Sequence, residues 1–259
     1  MREKARYIFD LFMTIGGACF ATFLIAPPVL FLALCVKPGL LAHKLTRAFA
    51  WLTSSFMRLK FSVQGVEKIK PGTSYIITPN HQSNSDILAL LSVLPCPFWW
   101  VVKRELLRIP FFGWGLAATG VISLDRKDRG QAVKSLRQGH EKLKDGWSVI
   151  IYPEGTRTSD GQLQPFKKGA FMMAVQTGTP ILPVTCNGAF KVMPKNTLRA
   201  KPGHIQVIIG DPIPTEELTE ADVPELMKKT WEAIHKNLDP DYDPFAHDKL
   251  RAQQKSDQR

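Results

Sequence analysis

The four cysteines of this 259-residue chain, Cys19, Cys35, Cys96 and Cys186, are widely scattered and include no Cys-x-x-Cys pair. Neither a disulfide framework nor a zinc site is suggested, and no histidine-rich metal spacing offers one; reduced, incidental thiols are the default. A Gly-x-Ser-x-Gly nucleophile elbow is missing, which disfavours a serine hydrolase. So is Gly-x4-Gly-Lys-Ser/Thr, which disfavours a P-loop NTPase. There is no internal repeat and no recognised nucleic-acid reader motif. Acidic side chains are the scarcer sign, 23 against 34 basic, and the net charge of +11 favours an anionic partner. Residues 1–60 hold eight basic and two acidic side chains around the most apolar part of the chain. That combination points to a membrane surface more than to nucleic acid.

What the chain does have is a long hydrophobic run. Leu11 to Val36 are 26 consecutive uncharged, mostly apolar residues, enough as a helix to cross a bilayer core of about 30 Å. Pro27-Pro28 interrupts the run, and basic residues flank both sides (Arg2, Lys4 and Arg6; Lys37, Lys44 and Arg47), so the positive-inside rule gives no orientation. A re-entrant or interfacial helical hairpin with both ends on the cytoplasmic face fits this symmetry better than a spanning helix. Apolar residues then recur at helical spacing at Leu45, Phe49, Leu52, Phe56 and Leu59, with Lys44, Arg47, Arg58 and Lys60 as a cationic complement. The run is long for the apolar region of a signal peptide.

Beyond Lys60 the pattern becomes α/β. Strands are expected at 61–63, 75–78, 98–102, 121–124, 149–152, 181–184 and 205–209. Helices are expected at Asp86–Leu94, Gly130–Lys144 and Lys167–Thr177, with an interrupted helical region from Thr215 to Leu238. The organisation is therefore a membrane-anchoring segment over 1–60, a catalytic domain over 61–238 and a polar, poorly ordered tail over 239–259.

The stretch on which the rest converges is Ile77-Thr78-Pro79-Asn80-His81-Gln82-Ser83-Asn84-Ser85-Asp86, a polar loop between a buried strand and a helix. With the helix starting near Ser85, the Asp86 carboxylate can fold back onto one ring nitrogen of His81, leaving the other as a base for a hydroxyl. The same spacing, Ser83-x-x-Asp86, is also a capping-box pattern, and on spacing alone the cap is favoured.

Three further constellations follow. Ile122-Ser123-Leu124-Asp125-Arg126 delivers an Asp-Arg pair from a strand, and Ile151-Tyr152-Pro153-Glu154-Gly155-Thr156-Arg157 runs from a strand into a turn. Arg126 and Arg157 are candidates to converge on a phosphate, for which guanidinium groups offer paired, charge-assisted bonds. Glu154 is a candidate to orient an arginine or a substrate hydroxyl. A salt bridge and an ordinary Pro-Gly turn are the plainer readings of these two stretches. Ile181-Leu182-Pro183-Val184 reads as core strand, with the lining of an acyl-chain pocket as the functional alternative.

Taken in order, these blocks resemble those of the glycerolipid acyltransferase family, whose His-x4-Asp motif is matched by His81 and Asp86, and most closely its 1-acyl-sn-glycerol-3-phosphate (lysophosphatidate) acyltransferase branch. The resemblance covers about residues 60–215 and extends to Lys103-Arg104-Glu105-Leu106 and Phe166-Lys167-Lys168-Gly169. The second block departs slightly, with Ser123 ahead of Leu124, but keeps Asp125-Arg126. The resemblance implies an α/β fold with a mixed sheet flanked by helices. It implies acyl transfer from acyl coenzyme A or acyl carrier protein to the sn-2 hydroxyl of lysophosphatidate, forming phosphatidate. His81 would act as base and Asp86 as its support. Lys103, Arg126 and Arg157 would hold the phosphate, and Glu154, Gly155 and Thr156 would position substrate. No metal or cofactor is implied. The expected location is the inner or cytoplasmic membrane, with the catalytic domain facing the cytoplasm; nucleic acid is not an expected partner, and oligomeric state is not readable. Another lysolipid or glycerol 3-phosphate as acceptor, or a noncatalytic anionic-lipid-binding protein, are the alternatives.

Overall fold

The computed structural model describes residues 2–37, 39–124, 139–143 and 146–242. Asp125, Arg126, most of the expected helix at 130–144 and the tail from 243 lie outside these residues.

Seven strands form one sheet: β1 Leu59–Gln64, β2 Ile76–Pro79, β3 Phe98–Lys103, β4 Ile122–Leu124, β5 Ser148–Ile150, β6 Ile181–Asn187 and β7 Gly203–Ile209, in spatial order β1-β7-β6-β2-β5-β3-β4. Every neighbouring pair is parallel except β6 and β7. The sheet is therefore mixed, and its central strands are covered on both faces. β2, β5 and β6 are buried at every residue, which is why they read as unbroken apolar runs rather than alternating ones. Ile181, Leu182 and Val184 have no exposed surface, and none of them lines a cavity. The fourth constellation is core strand and not the wall of an acyl pocket.

Against the sheet pack α3 Ser85–Val93, α5 Gly169–Thr177, the short α6 Ala189–Val192 and α7 Val223–His235, the last preceded by a 3-10 turn at Glu220–Asp222. Gly178 closes α5 in the left-handed conformation (φ 61°), as expected of a residue without a Cβ penalty there. A short 3-10 helix, Arg104–Arg108, and α4 Phe112–Ala118 follow β3; their aromatic and glycine content hides any helical period.

The amino-terminal hairpin forms, but not with the expected turn. α1 runs unbroken from Arg2 to Cys35 through Pro27 and Pro28, and α2 follows over Leu40–Phe56. Packing on both sides of the prolines opposes a break: Ala26 and Val29 are buried, and Ala26 lies against Gly115 of α4, where an added Cβ would come within 3.0 Å. The helices approach closely at Gly17, where a Cβ would stand 2.4 Å from Phe56.

α1 is also fastened by charge. Asp10, fully buried, pairs with Arg58 and receives Nη2 and Nε of Arg199 at 2.7 and 3.2 Å. The Ala200 amide donates to Thr14 Oγ1 at 3.0 Å. Arg58 therefore serves α1 rather than a lipid-facing cationic stripe. Arg47 is likewise turned inward, donating to the carbonyls of Leu94 and Ser92 at 2.6 and 3.1 Å, a cation at the negative end of α3.

Candidate active site

The site lies at the carboxyl ends of β2, β3 and β5, where open α/β sheets place their ligands. β2 ends at Pro79, which has no N–H to continue the ladder. Asn80 takes over: its side-chain amide accepts from Cys186 N at 2.6 Å and donates to Cys186 O at 3.1 Å, imitating one more peptide of the strand. The next residue, His81, thus leaves the sheet from a fixed point.

The backbone of His81 is held from both sides by the turn after β5. Its N–H donates to Glu154 Oε1 at 2.6 Å, and its carbonyl accepts from Thr158 N at 2.9 Å. On the side chain, Nδ1 lies 3.0 Å from Asp86 Oδ2. That oxygen also accepts the amides of Gln82 and Ser83, each at 2.8 Å. The Ser83 bond is half of a capping box, but Ser83 Oγ accepts from Ser85 N and donates to Met193 O instead of completing it. One carboxylate thus stands in both of the arrangements open on spacing, the loop cap and the histidine partner. Asp86 has no exposed side-chain surface and His81 is 15% exposed.

Nδ1 is occupied, so Nε2 is the ring nitrogen left for a ligand. His81 lines a cavity of about 760 Å³. Its walls are mostly apolar: Ile25, Ala26 and Val29 of α1, Phe49 of α2, Ile87, Leu88 and Leu91 of α3, Leu116 of α4 and Met173 of α5. Its polar rim holds Lys103, Gly155, Thr156, Arg157 and Lys167. Lys195 braces this rim, donating to the Arg157 carbonyl at 2.8 Å.

Of the residues singled out from sequence, His81, Asp86, Lys103, Gly155, Thr156 and Arg157 come together here, and Arg126 lies outside the described residues. Glu154 departs from expectation. It is buried, does not line the cavity, and binds the amides of His81 and Gln164 (2.6 and 3.1 Å). It therefore orders the histidine loop rather than touching a substrate or an arginine. Burial pushes its carboxyl up to about 8, against the pull of those two amides. Sequence reasoning assigned no role to three residues. Asn80 and Lys167 stand in stretches already marked as distinctive, so the signal was present. Tyr152, whose ring stacks on His81 with centroids 3.8 Å apart, reads in sequence as one more apolar strand residue.

The Nε2 edge of His81 thus opens onto an apolar chamber with a cationic mouth. Comparison with known proteins takes this one step further. Residues 60–187 match the family model described as Acyltransferase. The chain is 42% identical over 161 residues to the 1-acyl-sn-glycerol-3-phosphate acyltransferase of Pseudomonas aeruginosa (62% of each chain). It is 32% identical over 228 residues to the alpha enzyme of that name from Mus musculus, covering 86% of this chain and 78% of the mouse protein. The crystal structure of the 1-acyl-sn-glycerophosphate acyltransferase of Thermotoga maritima superposes with a TM-score of 0.75 at 30% identity, over 90% of this chain and 95% of that one. The chain belongs to the Acyltransferase family. It matches 45% of the length of a chloroplastic relative from Brassica napus and 62% of the Pseudomonas protein.

Proposed function

We propose that this protein transfers an acyl chain from acyl coenzyme A or acyl carrier protein to the sn-2 hydroxyl of 1-acyl-sn-glycerol-3-phosphate, giving phosphatidate. The observation that carries this reading is the His81–Asp86 pair, held at 3.0 Å with the opposite edge of the imidazole at the cavity. His81 Nε2 accepts the hydroxyl proton as oxygen attacks the thioester carbonyl, and Asp86 stabilises the imidazolium. The tetrahedral intermediate collapses with loss of the thiolate, which takes the proton back from His81. A thiol, with a pKa of about 8.5, leaves without a strong acid, so no covalent enzyme intermediate is needed.

Lys103, Arg157 and Lys167 at the mouth suit the phosphate, and the apolar chamber suits the acyl chain. The exposed apolar surface of α1, continuous with Phe111 of the α4 segment through Phe23 (ring centroids 5.1 Å apart), supports a membrane site for the protein. α1 is docked on the catalytic part from Asp10 to Val29, which favours a helix lying in one leaflet over one crossing the bilayer. The catalytic part then faces the cytoplasm, where the thioester donors are.

The test is thiol release from acyl coenzyme A and from acyl carrier protein by purified protein, with and without lysophosphatidate, scored together with phosphatidate formed. Release is expected only with acceptor present, and His81→Ala should lower it by about 10²- to 10⁴-fold. A folded His81→Ala variant with unchanged activity would overturn the base assignment. Arg157→Ala is expected to raise KM for a phosphate-bearing acceptor more than for a phosphate-free one; equal effects would remove it from phosphate binding.

A further inference from the structure

The dyad leaves something unaccounted for. Asp86 uses one oxygen three times, while its other oxygen, Oδ1, is buried with no hydrogen-bond partner among the described residues. The hydroxyl of Tyr152 is in the same condition. A buried carboxylate oxygen and a buried phenol left apart each bear a desolvation cost, and native interiors rarely leave two complementary groups so.

Tyr152 and Asp86 both meet the same imidazole. The Tyr152 ring lies flat on the His81 imidazole, at a centroid distance of 3.8 Å and 21° between planes, and the same imidazole binds Asp86. Tyr152 follows β5 and His81 follows β2, adjacent parallel strands, so the stack is fixed by the sheet. The phenol is held well above its ordinary range, first by burial and then by the negative charge of Asp86. It therefore stays protonated and available as a donor.

We propose that Tyr152 is a positioning residue of the catalytic base: its hydroxyl donates to Asp86 Oδ1 across one buried water, and its ring holds the plane of His81. The proposal rests on His81 being the base. Its consequence is electrostatic as well as steric. A donor on Oδ1 draws charge from the carboxylate and so limits how strongly Asp86 stabilises the imidazolium; removing the donor makes His81 a stronger base. His81 serves as a base only when unprotonated, so a change at the dyad is read in the acid limb of kcat/KM against pH.

The experiment is that profile for the full-length protein and its Tyr152→Phe variant, which keeps the ring and loses only the hydroxyl. The limb is expected to move to higher pH, with kcat reduced about tenfold and KM for both substrates within about twofold. In an Asp86→Asn background the same substitution should have no further effect, since the two act through one hydrogen-bonded link. Site-specific 3-fluorotyrosine at position 152, a stronger donor of nearly the same shape, should move the limb the other way, and it serves if Tyr152→Phe does not fold. A limb that stays in place in both variants, or additive losses in the Asp86→Asn background, would overturn the proposal while leaving the base assignment intact. Loss of the base assignment itself would appear separately, as activity surviving in His81→Ala.

Discussion

Glu154 shows how a buried carboxyl can order the His81 loop without lining the cavity. It supplies the acceptors for the amides of His81 and Gln164 from a buried position. Glu154→Ala is expected to leave both amides unpaired at about 1–3 kcal/mol each, lowering Tm and reducing kcat more than it raises KM; Glu154→Gln, which keeps one acceptor, should recover part of each. Burial places its folded pKa near 8, above the unfolded carboxyl near 4.3. The folded chain therefore holds the extra proton between these values. The stability contributed is fully present below the lower value and is lost as pH rises through the upper one. Denaturation of the wild type between about pH 6 and about pH 9 should show this decline, and Glu154→Gln should lack that component. At this scale the sequence made the His-Asp spacing legible because loop and helix are local. It did not reveal that Glu154 reaches a backbone amide 73 residues away, since no side-chain pattern records which amide a carboxylate will meet.

Among the elements, all seven strands were legible, because each buried strand is a short apolar run bounded by turn residues. Their spatial order was not, since it is set by long-range pairing. The helix through Pro27-Pro28 was missed for a related reason: local chemistry argues for a break, and tertiary packing at Ala26 and Val29 overrides it. The inward turn of Arg47 and Arg58 was equally invisible, as spacing places a cation on a helix but not the carbonyl or carboxylate that captures it. The fastening of α1 is directly testable. Asp10→Ala unpairs Arg58 and Arg199, and the charged hydrogen bonds lost are worth about 1.5–3 kcal/mol, moderated by the exposure of Arg58. We expect faster proteolysis within α1 and reduced activity, with vesicle binding retained. Gly17→Leu, which must displace Phe56, should separate α1 from α2 with the same activity loss. Full activity with α1 proteolysed would show that the hairpin is dispensable to the site.

On the scale of the molecule, apolar exposure is polarised. Among the described residues, every large exposed hydrophobic side chain other than Leu198 lies on α1, on α2 and its approach, or between Leu106 and Trp114. Exposed apolar side chains grouped in this way mark a membrane or partner surface. Anionic vesicles should therefore quench or shift tryptophan emission through Trp51 and Trp114, which are 68% and 49% exposed. Salt should weaken binding only in part, since burial of apolar area is not screened.

The same α1 whose outer side is bare contributes Ile25, Ala26 and Val29 to the inner chamber. On the proposed function a single helix would separate lipid from the reacting chain, and an acyl tail would not need to enter water to exchange between them. Encounter with the proposed acceptor would then be confined to two dimensions, and the quantity setting its rate would be the mole fraction of lysophosphatidate in the surface rather than its bulk molarity. Adding inert detergent or neutral lipid at constant total acceptor should slow turnover in proportion to that dilution, as for an enzyme whose solvent is the leaflet.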